Sequence, residues 1–303
     1  MRMSQTIIPY VATTTLLLLA VGCTPQKNAK QSTAHQSTLV PKQNMSRHIQ
    51  LAGAINTRDL GGIVTKTGAK IKANRLIRSG ELAGLTTKDK QKLTVGKQLN
   101  NIVDLRTSSE VAAKPDPALS NVHYNHYDVT KSLGTSASQA DFFKNLDKVD
   151  GEVFMIDINQ KLVTDPAART NYKQFFNVLL NNKSGATLWH CTAGKDRAGF
   201  GTMLVLSALG VDQKSIMDDY LASNKYRRAE NEKTIEQIKV ATHNNPKAVK
   251  TITAMMAVRK PYLQVAYDTM NKEYGGVNGY LKHGLGLTKA DLNQLKTMYL
   301  TKS

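Results

Sequence analysis

The stretch LWHCTAGKDRAGF, residues 188–200, decides how this 303-residue chain is read. An apolar run meets His190 and Cys191, a short loop of small residues follows, and Lys195, Asp196 and Arg197 close the loop before an apolar, helix-like run begins. Strand, tight loop and helix in that order gather backbone N–H groups around a point beyond the strand end, where the helix N-terminus adds partial positive charge. An anion fits there. A cysteine that opens such a loop lies in the same field, and nearby cations raise its thiolate fraction further. Arg197, with five residues between it and Cys191, folds back to offer a planar fork of donors to two anion oxygens. Ala193 and Gly194 keep the loop free of bulk, so the backbone can approach a ligand.

Outward from the loop, the chain reads as mixed α/β. GATLWHC (185–191) is a short apolar strand opened by Gly185, and DPAARTNYKQFFNVLLNN before it places Phe175, Phe176, Leu179 and Leu180 at helical spacing. From Arg197, RAGFGTMLVLSALG reads as a helix stopped by Gly210, despite the helix-weakening Gly199 and Gly201. NNIVDLR (100–106) and NVHYNHYDV (121–129) read as strands, IKANRLIRS (71–79) as a weaker one, and TTKDKQKLTVGKQL (86–99) as a helix starting near Thr86 or Thr87. Strands dominate the first half and helices the second, with no linker between them. The expectation is one domain over 47–303, a central sheet flanked by helices with a helix-rich C-terminal half.

The N-terminus carries a different signal. MRMSQTIIPYVATTTLLLLAVGC has one Arg, an apolar stretch densest at LLLLAV, then Gly22 and Cys23, the layout of an export signal over 1–22. It resembles a bacterial lipoprotein signal, which implies lipidation of Cys23 and a body outside the cytoplasm. Residues 24–46 are rich in Gln, Ser, Thr, Asn and Lys, so 23–46 is expected to be a flexible tether. With Cys23 lipidated, Cys191 has no partner among the two cysteines and stays a free thiol. The formal charge is +18, of which Arg2, Lys27, Lys30 and Lys42 supply the part before residue 47, so the excess belongs mainly to the body. Anionic partners suit that excess, and so does a basic solvated surface. A nucleic-acid role rests on charge alone, without interleaved aromatics or a known module, and is set aside.

HCTAGKDR matches the H-C-x5-R signature of cysteine-dependent tyrosine phosphatases, and NTRDLGG (56–62) resembles the N-terminal motif of the bacterial family that also includes lipid phosphatases. RLIRSGEL and IVDLR resemble its intervening strands. The resemblance implies a phosphatase in which Cys191 attacks phosphorus, residues 192–197 (Thr192, Ala193, Gly194, Lys195, Asp196 and Arg197) hold the phosphate oxygens, and water releases the product, with no metal or organic cofactor. It places His190 behind the loop, and makes Arg58 and Asp59 an ion pair bracing the loop. Substrates implied are phosphotyrosine proteins, with phosphoserine, phosphothreonine or phosphoinositides as further classes. The only tryptophan is Trp189, so the W-P-D loop common among tyrosine phosphatases is missing, and the general-acid candidates are Asp196, favoured, and Asp128.

Two departures stand out. Position 198 is Ala where the family generally has a hydroxyl that helps the cysteine leave, with Thr192 and Thr202 as substitutes. Lys195 is reminiscent of phosphoinositide phosphatases, where an extra loop cation meets additional phosphates, while a solvated loop lysine is the plainer reading. The second functional reading is a catalytically weak, phosphate-binding surface lipoprotein. A nucleotide P-loop lacks the upstream glycine and the Ser/Thr after Lys. Sulfur transfer and arsenate reduction fit less well, because the thiol has no resolving partner and the loop ends in GKDR.

Overall fold

The computed structural model describes residues 44–131 and 145–302. The expected signal over 1–22, Cys23, most of the expected tether and residues 132–144 lie outside the described residues. Alternating residues build a six-stranded sheet in the order β1-β2-β3-β6-β4-β5. Its strands are β1 (Arg47–His48), β2 (Arg58–Asp59), β3 (Leu76–Ser79), β4 (Leu99–Asp104), β5 (His123–His126) and β6 (Ala186–His190). The first three pair antiparallel, while β3, β6, β4 and β5 run parallel. At the C-terminal edge, Ser79 and Asp104 both register with His190, so the loop after β6 leaves from the middle of the parallel section. Crevices at that edge are where open α/β sheets bind ligands.

The period-two alternation divides the apolar residues between two layers. Leu76, Val103 and Trp189 face the larger core, whereas their neighbours Ile77, Ile102 and Leu188 face a smaller one. Helix α1 (Thr87–Thr94) covers the smaller side and begins with a capping box between Thr86 and Asp89. It stops earlier than the sequence pattern suggests, because Gln98 turns left-handed (φ 51°) and Leu99 already starts β4. The short α2 (Ser108–Ala113) follows β4 and opens on a second capping box, Thr107 with Glu110.

The larger core is helical. Helix α3 (Gly151–Thr164) was not legible in the sequence, since the buried Asn159 interrupts its apolar stripe. Asp165 ends α3 and caps α4 (Pro166–Asn181), with proline in the first turn. Helix α5 (Arg197–Ala208) leaves the loop after β6 and is buried along almost its whole length. Its Gly199 is a packing device: a Cβ there would lie 3.0 Å from the Tyr220 ring. The chain continues through α6 (Gln213–Leu221), α7 (Ser223–Tyr226), α8 (Arg228–Ala241), α9 (Pro246–Met256), α10 (Lys260–Tyr274) and α11 (Lys289–Tyr299). The folded body starts before Arg47, correcting the expected end of the tether at residue 46. Asn44 bonds Val64 and Ser215, and Ser46 is buried against Asp219.

Phe175 is fully buried and packs against Trp189 with ring centroids 5.2 Å apart and the rings tilted by 53°, so its ring props the central strand. Phe175→Ala is expected to lower unfolding free energy by about 3–5 kcal/mol. Denaturant unfolding followed by Trp189 fluorescence measures it, and a loss below about 1 kcal/mol would contradict this packing.

Candidate active site

The loop 191–196 is shaped from outside. Gly194 takes φ +67°, and a Cβ on it would sit 2.4 Å from the Ser79 carbonyl oxygen, so its missing side chain lets the loop lie on β3. That differs from the sequence reading, in which the small residues cleared the ligand side. The Gly194 carbonyl accepts from Arg78 Nη2 at 2.7 Å and Asn56 Nδ2 at 2.9 Å. The Ala193 carbonyl accepts from Arg227 Nη1 at 2.9 Å, and the Thr192 carbonyl from the Glu81 amide at 3.1 Å. With three successive carbonyls turned outward onto donors, the loop amides are left to its concave side. Among the described residues, none of the amides 192–197 has a backbone acceptor. Such a nest of donors at the start of α5 is an anion site.

Cys191 lies on the floor of this loop, 2% exposed, next to the apolar core. Arg197, Arg227 and the Tyr172 hydroxyl, which donates to the Arg197 carbonyl at 2.9 Å, all lie within electrostatic reach of its sulfur. The thiol is therefore buried beside cations, not in purely apolar packing.

Arg197 meets a partner the sequence reading missed. Its Nη1 and Nη2 reach Glu110 Oε2 and Oε1 at 2.5 and 2.8 Å, and Thr192 Oγ1 donates to the same carboxylate at 2.5 Å. Burial works against the charge on Glu110, but Arg197 and the Thr192 and Thr107 donors prevail and hold its carboxyl down to about 2. The fork thus has one fixed orientation. The T-S-S-E capping box at 107–110 was the available signal, but it marks only a helix start.

Lys195 is 3% exposed, with Nζ 2.7 Å from Asp196 Oδ2 and 3.4 Å from the Ala257 carbonyl. The solvated reading of Lys195 does not hold, for its ammonium is buried against the Asp196 carboxylate. The same contact engages one oxygen of the Asp196 carboxylate, while Oδ1 is buried without a hydrogen-bond partner. Asp128 follows β5 at the loop's end of the sheet, its Oδ1 accepting from Thr130 N at 2.9 Å and its carbonyl from Asn171 at 2.6 Å.

His190 is fully buried, with Nε2 2.8 Å from Asp116 Oδ2 and 3.8 Å from Asp104 Oδ2. These three residues hold ligand atoms within 4.8 Å of one another, a spacing that a metal uses. Arg106, however, bonds Asp104 at 2.6 Å and Asp116 at 2.8 Å, so a guanidinium neutralises the cluster. Arg58 and Asp59 do not pair with each other, which corrects the expected brace. Neighbours on a strand point to opposite faces: Arg58 lies 3.6 Å from Asp219, while Asp59 accepts from the Gly61 and Asn74 amides. Thr202 is also out of reach of the loop interior, its hydroxyl shared between Trp189 and the Ala198 carbonyl.

The model of the family described as "Tyrosine phosphatase family" matches residues 49–301. The triple specificity protein phosphatase PtpB of Mycobacterium tuberculosis is 31% identical over 281 residues, covering 83% of this chain and 98% of that protein. A tyrosine-protein phosphatase of Nostoc commune is 26% identical over 235 residues, covering 75% of this chain and 74% of its own.

Two outcomes follow from the Glu110 contact. Glu110→Gln is expected to lower kcat/KM by up to about 10²-fold, since the guanidinium loses its fixed position. The pair also makes a pH-dependent contribution to folding. The folded carboxyl lies at about 2 against an ordinary 4.5, so the stabilisation is full above 4.5 and is lost as pH falls towards 2. The stability gap between wild type and Glu110→Gln should therefore narrow over that window in urea titrations. An unchanged gap would contradict the pairing.

Proposed function

Because the chain belongs to the tyrosine phosphatase family, and is thus a protein-tyrosine phosphatase, we propose that it hydrolyses phosphotyrosine through a cysteinyl-phosphate intermediate with Cys191 as the nucleophile. The observation that carries the proposal is the loop itself. Its carbonyls at 192, 193 and 194 are tied outward, and its amides surround a floor of Cys191 beside Arg197.

In the first step the Cys191 thiolate forms an S–P bond as the bond from phosphorus to the phenolic oxygen breaks, and a carboxylic acid gives that oxygen a proton. The loop amides and Arg197 hold the three equatorial oxygens while charge shifts. Water then attacks phosphorus, the S–P bond breaks, and the carboxylate takes the water's proton. Asp128 suits the acid role better than Asp196. Lys195 Nζ holds Asp196 Oδ2 at 2.7 Å, whereas among the described residues the Asp128 carboxylate is held only by its near neighbour Thr130, at the loop's end of the sheet. Ala198 supplies no hydroxyl for the departing sulfur, and the hydroxyls of Thr192 and Thr202 donate to Glu110 and to the Ala198 carbonyl, so the second step is slow.

Phosphotyrosine comes before phosphoinositides in this reading, because the buried Lys195 ammonium is already paired with Asp196. The mycobacterial relative is named a triple specificity protein phosphatase, which supports a range broader than phosphotyrosine alone. Export and a lipid anchor at Cys23 remain part of the proposal on the strength of residues 1–23.

Phenyl phosphate is expected to give a stoichiometric burst followed by slow turnover, both absent in Cys191→Ser. Binding of phosphate with no burst would favour the phosphate-binding reading instead. Asp128→Asn should cost about 10²–10⁴-fold in kcat with phenyl phosphate and far less with an acidic phenol as leaving group. An equal loss with both esters would remove Asp128 from the acid role. Cells fed a labelled fatty acid should label the wild-type chain and not Cys23→Ser; label on neither would end the anchor proposal.

A further inference from the structure

The segment 44–49, where the folded body begins, is bound along its whole length. Asn44 exchanges hydrogen bonds with Val64 and reaches Ser215 on α6 at 3.1 Å. Arg47 Nε donates to the Gly61 carbonyl at 2.9 Å, His48 stacks on Tyr226 at 4.6 Å, and the Ile49 amide bonds the Thr57 carbonyl at 2.8 Å. Ser46, between them, turns inward and is 4% exposed. Its amide and its hydroxyl both donate to Asp219 Oδ1.

Asp219 is fully buried on α6 between two guanidiniums. Its other oxygen, Oδ2, accepts from Arg78 Nη1 at 2.9 Å and lies 3.6 Å from Arg58 Nη2. Arg78 in turn gives Nη2 to the Gly194 carbonyl in the active-site loop at 2.7 Å. The path therefore runs without a gap from Ser46 to Asp219 to Arg78 to Gly194. Burial opposes the charge on Asp219, but Arg58, Arg78 and the two Ser46 donors hold its carboxyl below the usual range.

Two cations compete for that single carboxylate, and its rotation decides which one it serves. Ser46 fixes the rotation by holding Oδ1, which leaves Oδ2 for Arg78. Without those donors, the carboxylate turns towards Arg58, whose Nε and Nη1 have no acceptor. Arg78 is then drawn off the loop, and Asn56 is left alone on the Gly194 carbonyl.

We propose that Ser46 is a positioning residue of the catalytic loop, setting the orientation of the Gly194 peptide through Asp219 and Arg78. The proposal rests on the reading of 191–197 as that loop. Its reach is regulatory in kind: the residue at the start of the folded body, next to the segment expected to be a tether, bears on the anion site.

The test compares full-length chains. In a Cys191→Ser background, calorimetry with inorganic phosphate reads the loop without turnover. Adding Ser46→Ala is expected to weaken phosphate binding about tenfold, and Ser46→Thr to restore it to within about twofold of the parent. Arg47→Ala breaks a bond of the same segment that does not lead to Asp219, and should leave phosphate affinity within about twofold even where it lowers the melting temperature. In the active chain, Ser46→Ala should lower kcat/KM in the same proportion.

Parent-like phosphate binding in Ser46→Ala, or an equal loss in Arg47→Ala, would overturn the proposal. Absence of binding in the Cys191→Ser parent would overturn the catalytic reading and this one together. Where Ser46→Ala unfolds at the assay temperature, Ser46→Cys keeps the volume with a weaker donor and gives the same comparison.

Discussion

The outward anchoring of three peptide carbonyls, at 192, 193 and 194, is the constraint on which the rest depends. A peptide that turns its oxygen outward turns its N–H inward, so every donor that captures a carbonyl from behind adds a donor to the cavity in front. Arg78, Arg227, Asn56 and the Glu81 amide come from β3, from the turn between α7 and α8, from the loop before β2, and from the chain after β3. The anion site is thus a property of the whole sheet edge, although the residues that surround the anion belong to one short loop.

Buried cations carry that arrangement, and each needs a reason to stay in place. Arg78 has Asp219, Arg106 has Asp104 and Asp116, Lys195 has Asp196, and Arg197 has Glu110. Removing one partner would leave an uncompensated charge in a low-dielectric interior, which costs far more than the net value of the pair. Their use is orientation. The fork of Arg197 is held end-on by Glu110 before any substrate arrives, so its order is set during folding and not at binding.

Local chemistry made much of the fold legible. The helical spacing of Phe175, Phe176, Leu179 and Leu180, the helix start near Thr86 and the short apolar run of β6 are signals carried by neighbouring residues, and each produced the expected element. Helix α3 escaped because its buried face includes Asn159, whose amide nitrogen donates to the Met155 carbonyl one turn earlier. The start of the body escaped for a similar reason: Asn44 and Ser46 have the composition of a linker, and only their distant partners make them structural.

The strand, loop and helix that bring Cys191 and Arg197 together were legible in the sequence because the geometry is local: a strand end, five intervening residues and a helix N-terminus fix each other's positions within a few bonds. What the tertiary structure alone decided is where each charged side chain is directed. Glu110 on Arg197, Asp219 on Arg78, Arg227 on Ala193 and Lys195 on Asp196 all sit in plain view in the sequence, yet three of the four contacts join segments far apart along it. Long ionic side chains choose partners by burial and by the shape of the space between elements, and neither quantity exists until the sheet and its helices have packed.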